Sequence, residues 1–385
     1  MTMAYKELEN EWSVEWFKFI LEHPDKPWDW IGISKNPNLT WDIIQAYPDK
    51  PWCWSMISCN KSITFEIVKA NPDKPWDWKF ISSKPDITWE IIKANPDKPW
   101  DWSNISCNKH ITWQIIQANP DKPWDWKFIS INPNITWEII QENPNKPWHW
   151  SNVTINRNIT WQIIQSNPDI PWNKKLISRK PTLTWQIIKK NHDYNFIRWN
   201  WNQITTHPNI TWEIIQANRY YPWKDISKNP NITWKIIKDN PDERWDWGYI
   251  SKNPIITWEI IKGNPWSGKW DWDYISENQN ITCEIIKANP YKYWNWYNIS
   301  KNPNITWEMI KANPYKRWNW YHISNNEMYK SKEKFINNLR LKIIKSTIIK
   351  RYWRKYSYDP RFSFGKKMIL KRGLSDQDDS EEETS

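Results

Sequence analysis

Residues 87–106 read ITWEIIKANPDKPWDWSNIS, and most of the 385-residue chain consists of copies of this stretch. The Thr-Trp step returns 24 residues on at Thr112-Trp113, then at Thr136-Trp137 and Thr160-Trp161. Ten copies between Thr40 and Thr306 keep both residues, while Thr64-Phe65 and Thr282-Cys283 vary the second. A fixed period of this length marks a stacked-repeat protein, in which each unit buries its apolar face only against its neighbours.

Each copy predicts two short helices. Thr88 stands before an apolar periodic run, where its hydroxyl accepts from a free amide of the first turn. Glu90 then complements the positive end of the helix dipole. Asn95-Pro96 ends the helix, because a residue before proline is pushed out of the α region. A second helix follows, with Asp97 as expected N-cap and Pro99 in the first turn. Trp102 and Ile105 share a face and are assigned to the core; Trp100 points nearly opposite. Asn-Pro turns such as Asn132-Pro133 lead into the next copy. The recurring asparagine at Asn95 and its equivalents is expected to be structural, forming a ladder inside the stack.

The fold class is therefore all-α: an α-solenoid of short helix pairs, the second helix α or 3₁₀, wound as a right-handed superhelix with a longer C-terminal helix. Residues 1–13 read as a polar lead and 14–324 as about thirteen repeats. Residues 325–374 read as a basic helical cap and 375–385 as an acidic disordered tail. At about 8–10 Å per layer, thirteen layers predict a curved rod on the order of 100 Å. The pattern loosens between Asn191 and Asp225, where HDYNFIRWNW carries an insertion and RYYPWKDIS reads as having lost its second tryptophan.

Composition narrows the function. The chain holds 38 tryptophans but only six glycines, none in a phosphate-cradling loop. Its six histidines are dispersed without ligand spacing, and the acidic residue of each repeat sits at a helix start. No enzyme, cofactor or metal is expected. Four single cysteines without a CxxC pair suggest a reducing compartment, and no signal-peptide pattern or membrane-length apolar run appears. Net charge is +11. Residues 325–374 carry +12 and residues 375–385 carry −6, which leaves only +5 for the repeats. Basic character belongs to the C-terminal segment.

Two candidate surfaces follow. The position occupied by Asn104 varies through Met56, Phe80, Phe128, Tyr249 and Tyr274, a range that a core site would not accept without cavities or unpaired polar groups. That column is expected to line a partner surface together with Trp100 and Trp124. The second candidate is the basic helix, where Lys350, Arg351, Arg354 and Lys355 would contact an acidic partner or nucleic acid. Residues 349–355, IKRYWRK, resemble a calmodulin-binding IQ motif, with Lys350 in place of its glutamine and Lys355 in place of its glycine. The leading expectation is a non-enzymatic scaffold for an unidentified protein partner. The alternatives are nucleic-acid binding through the basic segment and a sugar-binding row of exposed tryptophans.

Over residues 14–324, arrays of the form NPNITWEIIQANPDKPWDW resemble the tryptophan-rich tandem-repeat proteins of giant amoebal viruses of the Mimivirus type. The resemblance implies a viral source, in host cytoplasm or virion, and no particular activity. At fold level the layout is similar to leucine-rich-repeat-variant solenoids, which stack α and 3₁₀ helices, with tryptophan and isoleucine here in place of leucine.

Overall fold

The structure, a computed structural model, describes residues 3–180, 182–190, 199–216, 222–264 and 269–357. Among these, every regular element is an α-helix, numbered in chain order from α1 (Met3–Leu21) to α27 (Tyr329–Ser357), and no strand occurs. The protein is a tryptophan-rich α-solenoid of helix pairs with a longer helix at its C-terminal end. The thirteen second helices run from α2 (Trp30–Lys35) to α26 (Trp320–Asn325). Twelve first helices alternate with them, and the last turn of α1, from Phe17, serves as the thirteenth.

In the repeat at residues 87–106, α7 (Trp89–Ala94) starts after Thr88, whose Oγ1 accepts from Ile91 N at 3.4 Å. The same cap recurs through most of the array, although Thr40 and Thr64 make no such bond. Asn95 ends the helix by donating Nδ2 to Ile91 O at 2.8 Å. Its own carbonyl accepts the indole N–H of Trp100 at 2.8 Å. This clasp holds residues 95–100 in a turn, so α8 (Trp102–Ser106) begins later than the sequence suggested. Its N-cap is Asp101, which accepts from Asn104 N at 2.8 Å, and not Asp97.

Neighbouring repeats are joined by the same few contacts. Asp101 N donates to Ser82 Oγ at the end of the preceding second helix (2.9 Å). Trp102 meets Trp124 edge to face at 5.1 Å, and the Lys98 ammonium lies 5.8 Å above the Trp78 ring. Deepest is an asparagine from the Asn-Pro turn. Asn132 is fully buried and donates to Ser106 O, Asn108 O and Ile111 O at 2.8, 3.1 and 3.2 Å, while its Oδ1 accepts from Asn134 N at 2.8 Å. Equivalent bonds recur at Asn60, Asn156, Asn278 and Asn302. The inter-repeat ladder is therefore this asparagine column. Asn95 and its equivalents act inside their own repeat, which corrects the sequence expectation.

The expected curved rod is also corrected, because the last repeat meets the first through the same contacts. Asp29 N donates to Ser324 Oγ at 3.0 Å. Asn36 Nδ2 donates to Ser324 O and Asn326 O at 3.0 and 3.1 Å, and Asn38 Nδ2 to Glu327 O at 2.9 Å. Trp28 meets Trp320 edge to face at 4.8 Å, and Lys26 lies over the same ring. Phe19 lies flat on Trp307 at 3.9 Å. The repeat unit closes into a ring. Its second helices pack directly on one another, α2 on α4 (Trp54–Cys59) as on α26.

The closing junction has one feature of its own. Gly32 occupies the position held elsewhere by Met56, Phe80 or Asn104. The Asn325 side chain fills the vacated space and donates to Asp29 Oδ2 at 3.2 Å. A Cβ on Gly32 would lie 2.4 Å from Asn325 Nδ2 and 2.7 Å from Asp29 Oδ2.

The chain divides into two units, Phe17–Met328, which is the ring, and Met1–Trp16 with Tyr329–Ser385. In the second unit the expected polar lead is helical: Trp12 packs on Phe335 at 5.6 Å, and Lys332 pairs with Glu9 at 2.8 Å. Along α27, Ile336 is buried and Phe335 and Leu339 are half-buried, whereas every residue from 341 to 353 is exposed. No described helix is long and apolar enough to cross a membrane.

Candidate interaction surface

The variable column does not stand open to solvent. Met56, Phe80, Asn104, Phe128, Tyr249 and Tyr274 are all half-buried, because each lies along the contact between successive second helices. Asn104 Nδ2 donates to Lys79 O of the preceding repeat at 3.1 Å, and Asn152 does the same to Lys127 O at 2.7 Å. Tyr249 approaches Tyr274 at 6.2 Å, with the Lys228 ammonium 4.2 Å above the Tyr249 ring. Variation is tolerated because polar members reach backbone carbonyls and apolar members reach neighbouring side chains.

Trp100 is not on the surface: it is 8% exposed, whereas Trp102 is only half-buried. The two assignments are reversed. Residues 100 and 101 lie outside the helix, so helical spacing does not relate Trp100 to Trp102. Trp124, in the Trp100 column, is half-buried, and its indole N–H donates to Asn119 O at 2.8 Å. A row of exposed tryptophans for sugar stacking is not present in this column.

Grooves open where a repeat meets the turn of the next. One of about 540 Å³ is lined by Trp258, Ile261, Lys262 and Trp272 of one repeat and by Lys292 and Tyr293 from the turn of the next. An equivalent groove of about 390 Å³, eight repeats earlier, is lined by Phe65, Val68, Lys69, Trp78, Lys98 and Pro99. Recurrence at the same positions makes the groove a property of the repeat. Tyr293 stands where Pro99 stands in the earlier copy, at 6.3 Å from the Trp272 ring.

The exposed side chains that sequence reasoning passed over are tyrosines. Tyr291 and Tyr315 are 97% and 98% exposed, Tyr293 is 81% exposed, and Tyr297 and Tyr321 are half exposed on their second helices. Most other repeats carry Asp or Pro at the first three positions, so folding does not require tyrosine there. That substitution is visible in the sequence and is the signal that could have located the patch.

Buried cations mark the ladder and not a site. Lys84 and Lys180 replace its asparagine, and Lys180 Nζ donates to Ile159 O and Asn156 O at 2.6 and 3.2 Å. Burial lowers its pKa to about 8, and burial lowers that of Lys84 as well. At the helix starts, hydrogen bonds from Thr136 and from its own backbone amide hold Glu138 below the ordinary carboxylate range, as a capping acid should be. Lys350 and Arg351 are exposed on α27, while the side chains of Arg354 and Lys355, and the acidic segment 375–385, lie outside the described residues. No protein-family model, no curated protein and no solved structure matches the chain.

Proposed function

We propose that this chain is a non-enzymatic repeat scaffold for protein–protein interaction. The observation that carries the reading is the tyrosine patch beside the larger groove. Tyrosine offers a rigid, amphipathic contact area, and aromatic anchors dominate binding energy at protein interfaces. Here Tyr291, Tyr293 and Tyr315 stand almost fully exposed, so a partner would bury aromatic area that folding leaves in water. The scaffold belongs, on this reading, to the giant-virus repeat proteins that the sequence resembles. The test is affinity capture from cells producing the protein, with the native chain beside Tyr291→Ser/Tyr293→Ser/Tyr315→Ser. Partners held by the native chain should be lost from the variant while its helical circular dichroism and melting temperature stay unchanged. Identical captures from both would refute the reading.

A second reading, nucleic-acid binding through the basic segment, is favoured by the exposure of Lys350 and Arg351 on α27. Salt separates the two. Phosphate contacts weaken by orders of magnitude between 50 and 200 mM salt, whereas aromatic contacts do not.

A further inference from the structure

The outer half of α27 combines features that a stable helix in water does not need. Leu341, Ile343, Ile344, Ile348 and Ile349 are 48–65% exposed. Between them stand Lys342, Lys345, Lys350 and Arg351, all exposed, and no acidic residue occurs between Glu333 and Asp359. At 100° per residue, Leu341, Ile344 and Ile348 share one side; Ile349 lies about 80° from Leu341, and Ile343 about 160° away in the other direction. The cations are interleaved around the same circumference.

This distribution discriminates among occupants. A flat anionic bilayer takes up one face of a helix, which would leave Ile343 in water. A nucleic-acid groove offers phosphates to the cations but little to five aliphatic side chains. A second α27 brings only like charge. A groove that encloses the helix, apolar inside and acidic at its rim, satisfies every side. We propose that residues 341–351 are a docking helix for an acidic protein that wraps around it. The proposal deepens the protein-binding reading and rests on it for the class of partner. It uses none of the tyrosines, so either can fail alone.

Calcium-loaded calmodulin serves as the probe of an acidic enclosing groove. Fluorescently labelled calmodulin is titrated with the full-length chain, with Ile343→Ser/Ile344→Ser/Ile348→Ser, and with Lys342→Gln/Lys345→Gln/Lys350→Gln. Parallel titrations use phosphatidylserine-containing vesicles and a 20-bp DNA duplex. The native chain should bind the probe with a micromolar or tighter Kd, and each triple variant should weaken it at least tenfold. Unchanged circular dichroism in the variants keeps the comparison valid, because these side chains are already exposed. No binding to the probe at 50 μM would overturn the proposal. Binding of vesicles or DNA in preference to the probe, or an aliphatic variant that binds the probe as the native chain does, would also overturn it.

Discussion

Substitution of Gly32 by leucine asks whether the ring is closed, and the sign of the result carries the answer. Gly32 lies inside α2, so in an open array leucine would stabilise that helix by roughly 0.8–1 kcal/mol through propensity alone. In the closed array the new Cβ would meet Asn325 Nδ2 at 2.4 Å and Asp29 Oδ2 at 2.7 Å. Both side chains must turn away. Their mutual bond of 3.2 Å is lost, along with the bond from Gly32 N to the same carboxylate oxygen at 3.0 Å. A hydrogen bond to a charged group contributes about 1.5–3 kcal/mol and overpacking adds about 1–3. With one bond's worth counted for the two, because the Asn325–Asp29 bond is exposed to water, and the propensity gain subtracted, the expected loss is about 1.5–5 kcal/mol. Adding Asn325→Ala removes the part of the obstruction that comes from the last repeat and should recover part of this, with a coupling of about 1–3 kcal/mol. The assay is native-state hydrogen exchange at Ile33 and Asn36 together with the melting temperature, since a repeat array need not unfold in two states. A stabilised Gly32→Leu protein, or one indifferent to Asn325→Ala, would refute the closed junction.

Further outcomes follow from the ladder and its exceptions. Asn132→Ala leaves buried carbonyls of two repeats without their donor and should cost about 3 kcal/mol, whereas Asn132→Lys should cost much less, since Lys84 and Lys180 already fill that position; exchange rates at Ile135 and Asn134 check both. Lys180 is depressed to about 8 against an ordinary 10.5, so the unfolded chain binds more protons between these values. Stability should rise with pH across that window, and Lys180→Asn should remove this part of the pH dependence of the melting temperature. Pro222, at the start of α18 (Trp223–Ile226), has no N–H for the Thr205 hydroxyl, unlike Asp246 or Asp271 at their junctions. Pro222→Asp should restore that bond and a cap together and raise stability by about 1 kcal/mol, read as a higher melting temperature.

How much of this was legible in the sequence depended on the range of the interaction. The Thr88 cap, the two-turn first helix and the stop at Asn95 are local, and 24-residue recurrence alone exposed them. The Trp100 clasp was missed because its indole reaches back five residues to a carbonyl, a bond that helical periodicity does not describe. The same error shifted the N-cap from Asp101 to Asp97. Asn95 and Asn132 both precede proline and look alike in sequence, yet only Asn132 faces the neighbouring repeat. RYYPWKDIS keeps the second tryptophan, as Trp223, and lacks the first; the residue before it, Pro222, hid that alignment. Closure is the least local property. It arises from a small rotation accumulated over thirteen repeats, and its sequence traces are a glycine at position 32 and an asparagine at 325.

A disulfide across the closing junction tests the ring most directly. Asn325 Cγ lies 2.8 Å from the position a Gly32 Cβ would take; one carbon–carbon bond more, about 1.5 Å, keeps the two Cβ atoms below the upper limit of roughly 4.5 Å that a disulfide spans. Gly32→Cys/Asn325→Cys, in a chain with Cys53, Cys59 and Cys107 changed to serine, should oxidise rapidly within one molecule. Peptide mapping should find residues 32 and 325 joined, at a yield independent of protein concentration. Thiols that remain free under the same oxidant, or that link only between molecules, would contradict closure.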